Sequence, residues 1–124
     1  MHTRILMILS AAFMAIIGLA FSFMPQEVLS MHGSEPDTAT VMLIQMAGAA
    51  YLGFAILNWS ARGILIGGIY AKPVALGNSL HFMMVAIMLV KAAFVFGAVP
   101  LMISAAVFST FAIWFSYVLF RPPV

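Results

Sequence analysis

The chain has 124 residues, of which 65% are hydrophobic and only 6% charged, and its mean hydropathy is +1.19. A soluble domain needs roughly 25% charged residues to cover its surface, so this chain is built for lipid. It contains no cysteine, which excludes disulfides, thiol catalysis, thiolate-bound zinc and iron–sulfur clusters. Five basic residues stand against three acidic ones, too few cations for a nucleic-acid surface and better suited to anionic lipid beside a membrane.

Four apolar blocks follow one another, over 5–24, 41–59, 79–96 and 101–120. Each has about the length that a helix needs to cross a hydrocarbon core of ~30 Å. The fold expected is therefore all-α, a single integral membrane bundle of four transmembrane helices. The first block, with Arg4 ahead of it and Ala20-Phe-Ser22 near its end, has some features of a signal peptide. Its apolar run is too long for a signal-peptide core, and we read it as a span that is kept.

The segment Pro25–Thr40 holds all three acids, Glu27, Glu35 and Asp37. Pro25 suits the first position of a short interfacial helix that Gly33 would end. Asp37 or Thr38 can cap the second span and places negative charge at a positive helix end. After the second block, Gly63–Leu76 is apolar apart from Lys72 but broken by Gly67-Gly68 and Pro73. It is too short to span. Three readings stay open: an interfacial segment, a re-entrant one, or a third helix that starts early at Pro73. Gly97–Pro100 is a tight turn, which makes the last two helices antiparallel neighbours, and Pro100 fits the first turn of the fourth.

Arg4, Arg62, Lys72 and Arg121 fall on one side of a four-span layout, and the acid-bearing loop falls on the other with Lys91. By the positive-inside rule both termini are cytoplasmic, and the membrane expected is a bacterial inner membrane.

Small residues recur as one stripe on the first helix, Ala11, Ala15, Gly18 and Ser22, and on the fourth, Ala105, Ser109, Ala112 and Ser116. The second span carries Ala49-x-x-x-Gly53. Such stripes let helix backbones approach closely in lipid. They serve packing within one chain or, as a sharper reading, a homodimer seam. Eleven methionines and eleven phenylalanines read as lipid-facing and gap-filling bulk rather than a ligand box.

Polar residues inside the spans are few: Gln45, Tyr51, Asn58, His81 and Lys91. Ionisable groups in a membrane are costly and are candidates for function. Lys91 lies about six residues, hence ~9 Å of rise, from the outer end of its helix, within snorkelling reach of the interface. Gln45 sits at similar depth on the second span and could bond to it. His81, Met84, Met88 and Lys91 share roughly one face of the third span. His2 and His32 lie in the terminus and the opposite loop, so paired axial histidines for a membrane haem are not to be had. No metal or other cofactor is expected.

The connector Gly67-Gly-Ile-Tyr-Ala-Lys-Pro-Val-Ala-Leu-Gly-Asn78 lacks the residue order of a nucleotide-binding loop. Its glycines give flexibility, Tyr70 suits the aromatic belt and Lys72 suits anionic headgroups. As a seam between helices it needs no further role. As a site, Arg62, Tyr70, Lys72, Asn78 and His81 would converge on a cytoplasmic rim able to hold an anionic headgroup, with Gln45 and Lys91 as deeper candidates.

The pattern Gln45-x-x-Gly48-Ala-x-Tyr51-x-Gly53…Asn58-Trp59, followed by the Gly-rich connector and Asn78, resembles uncharacterised small four-helix bacterial membrane proteins that are distantly DoxX-like. The resemblance implies a four-helix membrane fold and no agreed activity. Small multidrug-resistance transporters have a similar layout but depend on a glutamate in the first helix, and 5–24 contains no acid. Phe108-Ser-Thr-Phe111 echoes the phenylalanine–threonine motif of fluoride channels without their asparagine–glycine motif, and we read the echo as coincidence. The function expected is a non-enzymatic membrane module, an accessory subunit or a binder of lipid or small apolar ligands. The alternative is a minimal transporter or channel, necessarily oligomeric.

Overall fold

A computed structural model describes residues 2–31, 33, 35, 37–63 and 71–120. Among these the regular structure is helical: α1 His2–Phe23, α2 Pro25–Met31, α3 Thr38–Ser60, α4 Lys72–Phe96 and α5 Val99–Phe120. All but α2 are long and apolar enough to cross a membrane. The protein is an all-α integral membrane protein. Its chain divides into two compact units, residues 7–62 and residues 63–124 together with 1–6.

In the unit 7–62, α1 passes almost directly into α2. Met24 N–H still donates to Ala20 O at 2.8 Å, and Val28 N–H donates to Met24 O at 3.1 Å. Between those bonds Pro25 supplies no N–H and its ring crowds the carbonyl one turn back, so one helix ends and the next begins there. Gly33 closes α2 in the left-handed region, at φ 73°, a conformation that costs a residue without a Cβ little. Asp37 then caps α3. Its Oδ1 accepts from Thr40 N–H at 2.8 Å and its Oδ2 from the Thr40 hydroxyl at 2.9 Å. These bonds to the charged form hold the Asp37 carboxyl below its ordinary pKa.

Lipid gives no hydrophobic drive to press α1 onto α3, so contact must come from close packing. Two glycines provide it reciprocally. A Cβ built on Gly18 would lie 2.9 Å from Leu52 N, and one on Gly48 would lie 2.7 Å from Ser22 N. Gly18 and Ser22 belong to the expected stripe of α1. On α3 the outcome differs from expectation: Gly48 makes the approach, while Ala49 and Gly53 are exposed. One residue rotates a helix by about 100°, enough to move the pair off the contact face. Farther along, Asn58 is fully buried and its amide donates to Ser10 Oγ at 3.0 Å. Ser10 Oγ–H in turn donates to Met7 O at 3.1 Å, so the hydroxyl is used as donor and acceptor.

The other unit is built around the antiparallel hairpin α4–α5. α4 starts at Lys72, with Pro73 in its first turn, ahead of the expected start at 79. The early-start reading of the connector therefore holds from Lys72 onward, and residues 64–70 lie outside the described residues. Gly97 ends α4 at φ 63°, its N–H on Ala93 O at 2.8 Å, and only Ala98 separates it from α5.

Aromatic rings fill the hairpin. Phe82 is fully buried and stacks on Phe115 with centroids 5.5 Å apart and planes 10° apart. Phe111 lies at 5.0 Å and Phe108 at 5.6 Å from the same ring. Offset stacking of this kind adds ~0.5–1.5 kcal/mol per pair beyond burial. The reading of phenylalanine as bulk is thus incomplete, because these four form an ordered core. The echo Phe108-Ser-Thr-Phe111 has a structural reason, since both rings pack on Phe82.

Candidate functional site

Arg62 stands just beyond the end of α3. Its guanidinium carbon lies 3.9 Å from the centroid of the Trp59 ring, and Nη1 donates to Trp59 O at 2.6 Å. A cation over indole is worth about 0.5–1 kcal/mol where exposed. The contact fixes the long side chain while using one of its five N–H donors. The acids of the same unit lie at or before the other end of α3, roughly 35 Å away along a helix of this length, so Arg62 meets no carboxylate there.

Lys72 is exposed at the first residue of α4. Asn78 is fully buried, and its amide donates to Val74 O at 2.9 Å. It therefore faces inward rather than toward a headgroup. His81 is half-buried, with its ring edge against Phe82 at 5.4 Å. The spacing places Asn78 and His81 on one side of α4. Lys91 is exposed on the same helix. Gln45 is exposed on α3 and reaches Ser22 O at 3.5 Å, a long contact within its own unit. Arg62 and Gln45 thus belong to the unit 7–62, whereas Lys72, Asn78, His81 and Lys91 belong to the other. Tyr70 lies outside the described residues. No group of three or more His, Cys, Asp or Glu able to hold a metal occurs among the described residues.

Two grooves were not foreseen from the sequence. The first, about 730 Å³, lies on the α4–α5 hairpin. Ser109, Ala112 and Ser116 form its floor, and the larger Met83, Ile113, Tyr117 and Phe120 form its walls. Ser116 Oγ is 2.9 Å from Ser79 Oγ, so this serine of the groove also ties α5 to α4. The second groove, about 330 Å³, lies between α1 and α3. It has Ala11, Ala15 and Ala55 at its base and Ile56 and Trp59 at its edge. Both volumes fall in the ~300–1,000 Å³ range of small-molecule sites. The small-residue stripes were the available signal. A run of alanine and serine bordered by large apolar side chains leaves a trough wherever no partner helix fills it.

No protein-family model, curated protein or solved structure matches the chain. The functional reading therefore rests on the residues themselves.

Proposed function

We propose that the protein is a non-enzymatic module of a bacterial cytoplasmic membrane that binds lipid or a small apolar ligand. The observation that carries this reading is the α4–α5 groove, whose small-residue floor and large apolar walls suit a chain or ring of hydrocarbon. Its two serines and the Tyr117 phenol offer a few oriented polar groups among apolar ones, the usual make-up of a ligand site. The topology that goes with it has both termini in the cytoplasm, with Arg62 and Lys72 facing anionic headgroups on that side. Labels placed at Glu35 and at Lys72 should then report opposite faces of the membrane.

Purification in mild detergent followed by mass spectrometry tests the reading. A lipid or apolar compound bound in defined ratio is expected. In parallel, liposomes containing the protein should show no flux of ions or cationic dyes. Robust flux with nothing bound would overturn the proposal in favour of an oligomeric transporter or channel.

A further inference from the structure

The α1–α3 groove differs from the other in having a cation at its end. Its alanine floor is formed by Ala11, Ala15 and Ala55, and Trp59 stands at its edge. The Arg62 guanidinium is stacked on that same indole at 3.9 Å. The register of the two helices sets the direction of the trough. Gly18 lies against Leu52, and Asn58 bonds to Ser10, so α1 and α3 run antiparallel and the trough points along them toward Arg62. An apolar trough that runs from within the membrane to a fixed guanidinium has the chemistry of one amphiphile, an acyl chain joined to an anion.

We propose that this groove binds one acyl chain of an anionic phospholipid, with the lipid phosphate on Arg62 and the Trp59 ring at the chain–headgroup junction. Arginine is suited to the role because its planar fork can meet two phosphate oxygens at once while stacked on an aromatic face. Four N–H donors remain after the bond to Trp59 O. The three acids of the chain precede α3, so no carboxylate of this unit competes for the guanidinium or repels the phosphate. Tryptophan at such a boundary has its body in hydrocarbon and its N–H toward water. This inference names a lipid class for the membrane-module reading, but it concerns a different groove.

The chain contains two tryptophans, so Trp114→Phe leaves Trp59 as the sole reporter. The variant would be placed in vesicles of equal parts phosphatidylcholine and phosphatidylglycerol, with brominated chains on one lipid or the other. Brominated phosphatidylglycerol should quench Trp59 more strongly than brominated phosphatidylcholine. Arg62→Gln should cut the preference about fivefold, since one juxtamembrane base contributes ~1 kcal/mol toward an anionic lipid. High salt should reduce it as well, and Arg62→Lys should restore part of it. Equal quenching by both lipids would overturn the site, as would a preference that survives Arg62→Gln. Should Trp114→Phe fail to fold, the wild type minus Trp59→Phe gives the same signal. Retention of an anionic lipid without preferential quenching of Trp59 would sink this site and leave the α4–α5 reading intact. Absence of any bound lipid would sink this site, and absence of any bound lipid or apolar compound would sink both readings.

Discussion

The two units hold their helices together by opposite means. Between α1 and α3 side chains are removed: Gly18 and Gly48 bring one backbone against the other, and a buried Asn58–Ser10 bond locks the far end. Between α4 and α5 side chains are added: Phe82 is clasped by Phe108, Phe111 and Phe115. Both answer the same problem, that lipid is as apolar as the helices and association must come from packing and interhelical bonds. The difference lies in what each tolerates. A backbone contact rejects any added atom, whereas a ring stack rejects any removed one.

That contrast is most open to attack at Phe82. Phe82→Ala should lower the stability of the α4–α5 hairpin by about 3–5 kcal/mol, the usual cost of emptying an aromatic core position. Denaturant titration in detergent would show it, and a loss under about 1 kcal/mol would mean the stack is incidental. Gly48→Ala is the reverse experiment. The new methyl would sit 2.7 Å from Ser22 N, and overpacking of this kind costs about 1–3 kcal/mol. Gly53→Ala, on the exposed side of the same helix, should be neutral or slightly stabilising, since glycine is the poorer helix former. Equal effects at the two glycines would refute the assigned contact face.

A smaller effect is expected from Asn58→Leu, which removes the bond to Ser10. Interhelical bonds in membranes average about 0.6 kcal/mol, and Ser10 keeps its bond to Met7 O. The smallest concerns pH. The capping bonds lower the Asp37 pKa, so the cap contributes fully above the unfolded carboxylate value of about 3.9. Its contribution is lost as pH falls through the lower folded value. Amide exchange at Thr40 and Val41 should therefore quicken relative to the rest of α3 in that acid window. Asp37→Asn, which still caps but does not titrate, should abolish the change.

Much of this architecture could be read along the chain, because span length, proline and cap chemistry are local. Pro25, Gly33, Asp37 and Gly97 stand where the helices begin or end. What escaped is relational. The pair Ala49 and Gly53 satisfies the spacing rule for helix contact, yet Gly48 makes it, and spacing alone does not fix the rotation of a helix. Asn58 was visible as a polar residue in a span, but its partner Ser10 lies 48 positions away. Asn78 looked like part of a surface rim and is buried, with its amide donating one turn back to Val74 O. The grooves are absences of side chain, and a sequence records them only through the small residues that floor them.

The α4–α5 groove carries the functional reading, and Ser109→Leu tests it most directly. Ser109 lines the groove floor and forms no part of the Phe82 stack, so a leucine there fills the trough without emptying the core. Native mass spectrometry of the wild type and this variant, released from the same membranes in mild detergent, compares their bound mass. The account predicts a lipid or apolar ligand on the wild type that Ser109→Leu sheds while the hairpin stays folded. Equal bound mass on both proteins, or none on either, would contradict it.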